Sequence, residues 1–350
     1  MTLYLNRLVR LVLLLSVMVG LVACKPNPQD DIALFQPFIT ENVNKKSDDP
    51  YISSTVKPGD KMYEILVNIQ HGDTKSAYEK LMILVDKNDY EAQFWVAKMI
   101  YQASVKSIPR AINLYELSAN QGNPYAHYEL SPLGKGCLAY FGEKNCTQEH
   151  FNRAIELFKP LAAQGDLRAQ YFLLKQQQLD QSKETRAQYI QEVIRFAQAH
   201  YYQPLMDYVN TILVRPEGKV KYEAKTPEQY QLVIQLLTIA ANNNYIPAIE
   251  FIVRQDVDIK SNDDLYLKLK FLGGTHFYKT RFFEFKDEFN NEQLYCYATL
   301  YEAITGSDKL FLGVENKKNV SKDCNIEQEI NKMAPMVYID GFTSRDDWVD

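Results

Sequence analysis

Tryptophan is nearly absent from this 350-residue chain, with 2 copies against 24 tyrosines and 17 phenylalanines. Glycine and proline number 14 each, too few for a collagen-like or low-complexity polymer. The formal charge is −5 and no basic block lies beyond the N-terminus, which disfavours phosphate-driven nucleic-acid binding. The sequences H-E-x-x-H, G-x-S-x-G, G-x-x-x-x-G-K-[ST] and G-x-G-x-x-G do not occur. The five histidines (His71, His127, His150, His200, His276) are scattered, and no C-x-x-C spacing suggests zinc. Of these, His127 and His150 are close enough in one helical unit to meet, yet two imidazoles without a carboxylate or thiolate are ordinarily packing residues. No catalytic residue, cofactor or metal is therefore expected. What is present, 46% hydrophobic and 24% charged residues, describes a folded chain.

Residues 1–23 read as an export signal. Arg7 and Arg10 precede a short apolar core, Leu11 to Gly20, and this core is shorter than the roughly 20 residues a transmembrane helix needs. The segment ends Leu21-Val22-Ala23-Cys24, which resembles the bacterial lipobox. The resemblance implies cleavage before Cys24 and its lipidation, with several acyl chains giving a firm membrane anchor. By the sorting rule of such lipoproteins, Lys25 after the cysteine implies the outer membrane of a Gram-negative cell, periplasmic face. Residues 24–60 are polar and contain proline, and they predict a flexible tether holding the folded part clear of the lipid.

Four cysteines remain: Cys137, Cys146, Cys296 and Cys324. An even number in an oxidising compartment suggests two disulfides. Of three pairings, Cys137–Cys146 with Cys296–Cys324 is expected because each closes a local loop.

The strongest signal in the body is self-similarity. Ala92, Ala126, Ala169, Leu205 and Ala248 recur at helix-pair spacing, each followed four positions on by an aliphatic residue: Val96, Leu130, Leu173, Val209 and Ile252. That pairing is one buried helical face. Between these anchors lie second amphipathic runs, of which two end in Gln-Gly-Asn and Gln-Gly-Asp, glycine supplying a left-handed stop. Pro124, Pro204 and Pro247 then open the next helices, and Thr226-Pro227-Glu228-Gln229 has the form of a capping box.

These residues resemble the Sel1-like repeat, a relative of the tetratricopeptide repeat, most clearly at Ala111-Ile112…Tyr115…Ala119…Gly122 and Ala154-Ile155…Phe158…Ala162-Ala163…Gly165. The resemblance covers residues 61–254 and implies an all-α fold, a right-handed α-solenoid of helix pairs. The third and fourth closing turns depart from the pattern in lacking glycine. Residues 255–350 lose the register and predict a C-terminal helical cap over the last repeat.

Relative to each anchor, position +3 reads Trp95, Glu129, Phe172, Tyr208 and Phe251, and position +6 reads Lys98, Pro132, Lys175, Thr211 and Arg254. In helix-pair solenoids the first helices line the concave wall. Trp95, Lys98, Phe172, Lys175, Tyr208, Phe251 and Arg254 are thus candidate partner-binding residues, aromatic and cationic side chains being those that dominate interfaces. The competing reading packs position +3 against the next repeat, leaving only the +6 row exposed.

The expected function is non-enzymatic protein binding. Sel1-like periplasmic proteins include immunity partners of toxic phospholipases, which implies an inhibitor of a secreted toxin. The alternative is an envelope scaffold organising cell-wall or outer-membrane proteins.

Overall fold

The computed structural model describes residues 27–217, 221–255, 263–285, 289–315 and 324–343. The signal segment 1–23 and the lipidation residue Cys24 lie outside the described residues. Among the described residues the fold is all-α: no strand forms, and one isolated antiparallel bridge joins Val214 to Glu223.

The repeat region comprises α2 (Tyr63–His71), α3 (Thr74–Val85), α4 (Tyr90–Ile100), α5 (Ile108–Asn120), α6 (Pro124–Glu129), α7 (Gln148–Ala163), α8 (Leu167–Lys175), α9 (Lys183–Gln198), α10 (Gln203–Ile212), α11 (Pro227–Asn242) and α12 (Ile246–Gln255). Helices adjacent in sequence pack on one another as successive hairpins, a helical repeat of generic α-solenoid type. The five anchors Ala92, Ala126, Ala169, Leu205 and Ala248 have no exposed surface, because these positions face the neighbouring helix.

One turn recurs through the stack. Asn88, Gly122, Gly165, His200 and Asn244 all adopt left-handed φ, between 60° and 96°. In each case the next residue's N–H returns to a carbonyl five positions back: Asp89 to Leu84, Asn123 to Ser118, Asp166 to Leu161, Tyr201 to Phe196 and Tyr245 to Ala240. This is the Schellman closure of a helix. Histidine and asparagine perform it where glycine is missing, so the degraded units keep the same hairpin geometry. Asp89, Asn123 and Asp166 then cap α4, α6 and α8 by accepting backbone N–H groups. Thr226 likewise accepts the N–H of Gln229 at the start of α11.

The expected tether is not one. Residues 28–42 form a helix, α1 (Pro28–Asn42), which packs on α9 and α11. Its Asp31 carboxylate is fully buried and takes a two-pronged bond from Arg186, at 2.7 Å to Nη2, and another from Tyr208 Oη at 3.0 Å. Phe35, Phe38 and Ile39 are buried on the same face, and Phe35 meets the Tyr208 ring at 4.8 Å. Polar composition misled because it averaged over this apolar stripe of i, i+3, i+4 spacing.

The C-terminal part is helical only at first. Helices α13 (Asp263–Phe271), α14 (Thr275–Phe285) and α15 (Asn291–Thr305) continue the stack, and α15 packs against α2, closing a circuit. A short α16 (Ile326–Asn331) follows. The chain then runs without regular secondary structure from 333 to 340 and turns at 340–343, not as a terminal cap but back along the repeats. Both expected disulfides form, with Cα–Cα separations of 5.6 Å for Cys137–Cys146 and 5.3 Å for Cys296–Cys324. The first closes the insertion between α6 and α7, whose Phe141 is buried beside Tyr101 and Tyr115.

Candidate functional site

The extended C-terminal segment fills much of the wall that the repeats were expected to offer a partner. Met336, Val337 and Ile339 have no exposed surface. Gln70 acts on this segment as a strand would: its Nε2 donates to Met336 O at 2.9 Å, and its Oε1 accepts from Tyr338 N at 2.9 Å. Thr55 N donates to Val337 O, Thr55 Oγ1 donates to Ile339 O, and Tyr63 Oη donates to Pro335 O. These bonds satisfy backbone groups that burial would otherwise leave unpaired, at a cost of about 1–3 kcal/mol each.

The end of the segment occupies the candidate groove itself. Lys98, 2% exposed, spans from Glu129 Oε1 at 3.0 Å to Gly341 O at 2.7 Å. Phe342 stacks on Phe172, ring centroids 5.3 Å apart and planes 5° apart, within a cage completed by Tyr125, Tyr128 and Phe158. A side chain at Gly341 would strike the Tyr125 ring, which would have to shift to admit it.

Four of the seven candidate partner-binding residues are therefore not surface groups. Trp95, Phe172 and Tyr208 are core, and Lys98 is spent on Glu129 and Gly341. Solenoid first helices bury the +3 side against neighbouring elements, which accounts for the aromatics. Glu129 at the same +3 position is buried because it pairs Lys98.

The remaining three, Lys175, Phe251 and Arg254, come together at a basin of about 580 Å³ where the extended segment ends. Its floor is a network of satisfied polar groups. Tyr171 Oη donates to Asp207 Oδ2 at 2.6 Å, and Gln203 Nε2 donates to Asp207 Oδ1 at 2.8 Å. Tyr201 Oη donates to Asp340 Oδ2 at 3.2 Å, and the other Asp340 oxygen accepts the backbone N–H groups of Phe342 and Thr343. Burial raises the Tyr171 and Tyr245 phenols far above their ordinary range, reinforced at Tyr171 by Asp207. These tyrosines stay protonated and act as hydrogen-bond donors and apolar walls, not as bases.

The rim carries charge. Lys175 lies over the Tyr171 ring, with Nζ 4.8 Å from the centroid, and also near the Phe342 ring. Lys135 is exposed at the same rim, and neither lysine makes an ion pair among the described residues. Arg254 reaches Glu250 at 3.5 Å. The basin presents rigid aromatic and amide surface under accessible cations, a composition suited to recognition.

His127 and His150 do meet, Nδ1 to Nδ1 at 2.8 Å. Their ring centroids are 5.0 Å apart, nearly the nitrogen separation plus two ring radii, so the nitrogens point at one another head-on. One ring donates N–H to the other's lone pair. Partial burial, then the His150 and Arg153 neighbours, lowers His127 to about 4, and burial lowers His150 as well. Among the described residues no group of three or more His, Cys, Asp or Glu is gathered to hold a metal ion.

Sequence reasoning missed Gln70, Asp31, Arg186 and the whole course of 333–343. Asp31 carried a signal, the capped and Pro-initiated stripe Asn27-Pro28…Phe35…Phe38-Ile39. Gln70 carried none, since an amide in a helix face is silent until its partner is known.

The fold and site define an all-α helical-repeat protein whose inner wall holds an extended segment of its own chain. Compared with known protein families, curated proteins and solved structures, the sequence matches none. Among the described residues no helix is long and apolar enough to cross a membrane.

Proposed function

We propose that this chain is a non-enzymatic, lipid-anchored binding protein of the Gram-negative periplasm, built on right-handed Sel1-like, tetratricopeptide-like repeats. Its partner is a protein seated over the tyrosine-lined basin, with carboxylates meeting Lys135, Lys175 and Arg254. The role this serves is inhibition of a secreted toxin such as a phospholipase effector.

One observation carries the binding reading: the wall already holds a polypeptide, residues 333–343, by side-chain bonds to its backbone from Gln70, Thr55, Tyr63 and Lys98. A wall organised this way recognises a polypeptide, and the basin lies where, among the described residues, that wall is left uncovered. Support for the location comes from the LVAC tetrapeptide, Lys25 and the two disulfides.

The test is survival. Cells lacking the gene are challenged with the toxin encoded beside it, and the wild-type chain or the Lys175→Glu, Arg254→Glu double variant is supplied in trans. The proposal expects sensitivity on deletion, rescue by wild type, and weak rescue by the charge-reversed variant at unchanged melting temperature. Unchanged survival on deletion ends the inhibitor reading and favours an envelope scaffold.

A further inference from the structure

The docked first helix has a consequence for how the protein meets the membrane. Only three Cα–Cα steps separate Cys24 from Asn27, the residue that caps α1. At 3.8 Å per step they reach at most about 11 Å. A free 24–60 tether would have an r.m.s. span of roughly 30 Å or more. A lipid on Cys24 therefore holds the body at the headgroups.

The face that meets them is set by what surrounds Asn27. Three helices begin on this edge. Thr226, the cap of α11, donates its hydroxyl to Gln29 Oε1 at 3.0 Å, while at the far end Asn242 Nδ2 donates to Val43 O at 2.8 Å. The two helices thus lie side by side in the same sense, with α11 starting where α1 starts. Arg186, in the first turn of α9, grips Asp31 in the first turn of α1, so α9 begins here too. The buried Asp31–Arg186 pair fixes the arrangement, since separating its partners leaves a buried carboxylate uncompensated.

We propose that the edge formed by the N-terminal ends of α1, α9 and α11 is the membrane-facing surface of this protein, lying on a zwitterionic headgroup layer; this rests on the lipid-anchor reading above. Lys183 and Lys225 are exposed on this edge, and so are Asp30, Glu184 and Glu228. Two cations stand among three carboxylates, so proximity comes from the short anchor and not from attraction to anionic lipid. Contact with the membrane is accordingly insensitive to salt, because no surplus of cations is there to be screened.

The test imposes the anchor chemically. Cys24 is the one cysteine outside the two disulfides. The chain from Cys24 onward is coupled through that thiol to a maleimide lipid in phosphatidylcholine vesicles. Lysines are then acetylated with a membrane-impermeant reagent, and each rate is compared with that of N-ethylmaleimide-capped protein free in solution. The expected result is several-fold slower acetylation of Lys183 and Lys225, with Lys75, Lys144 and Lys159 unchanged. A long Gly-Ser linker inserted before Asn27 should restore the free rates. Equal rates at all five lysines would overturn the proposed face. Native lipidation is read separately, by detergent-phase partition and the mass of the N-terminal peptide. An unmodified Cys24 there sinks the anchor reading, whatever the vesicles show.

Discussion

Phe342 lies flat on Phe172, centroids 5.3 Å apart and planes 5° from parallel. The position +3 aromatic that the repeat pattern offers to a partner is thus already covered by a residue near the chain's own C-terminus. Phe342→Ala should cost about 2–3 kcal/mol, less than a fully enclosed phenylalanine because one edge of the ring borders the basin. Urea denaturation measures it, and a change within about 0.5 kcal/mol, the scatter expected of a surface site, would show that the ring is not held.

Lys98 and Glu129 form a buried pair, with side chains 2% and 7% exposed. Lys98→Ala should be destabilising by about 3–5 kcal/mol, since it leaves a buried carboxylate uncompensated. Lys98→Met combined with Glu129→Leu should cost clearly less than the single change. A double-mutant cycle decides it, and simple additivity would contradict the pairing.

Acid should weaken the fold through its histidines, starting below about pH 6.5. Burial lowers the His71 imidazole to about 4, and His127 is lowered to about 4 by partial burial and its cationic and imidazole neighbours. Unfolded histidine takes up its proton near pH 6.5, so the unfolded state binds more protons between pH 6.5 and 4. The contribution is present in full above 6.5 and is lost as pH falls through that window. For fully buried His71 it is on the order of 3 kcal/mol. The carboxylates with lowered values, such as Glu329 beside Lys270 and Lys332, act at lower pH still. Stability measured in urea from pH 7.5 to 5 should fall, and His71→Gln should flatten the slope.

The recurrent turn makes a paired prediction. A Cβ at Gly122 meets nothing within 4 Å, so Gly122→Ala should cost only the left-handed backbone penalty, about 1 kcal/mol. His200, at φ 60°, bears that penalty already. His200→Gly should be nearly neutral, relief of strain offsetting the greater freedom glycine gives the unfolded chain. Thermal melts of the two variants distinguish this from a turn in which His200 is required.

The repeat was legible because it is local. Small anchors, prolines and Gly-Asn or Gly-Asp stops each act within a few residues, and all five anchors are buried as that pattern requires. The disulfides were legible for the same reason. What could not be read was long-range. Asp31 bonds to Arg186, and Gln70 to Met336 and Tyr338, across separations no periodic pattern encodes. The candidate site suffered accordingly. Lys175, Phe251 and Arg254 reach the basin, but Trp95, Phe172 and Tyr208 share their periodicity with the core, and periodicity alone does not tell a groove from a core.

Hydrogen exchange of the segment 333–343 tests the central claim most directly. If the inner wall holds this stretch as an integral part of the fold, the amides of Met336 and Tyr338, bonded to Leu272 and Gln70, should exchange only on global unfolding, as slowly as those within α10 and α11. Exchange at the rate of a solvated terminus, with the repeats still protected, would contradict it and return the whole wall to an outside partner.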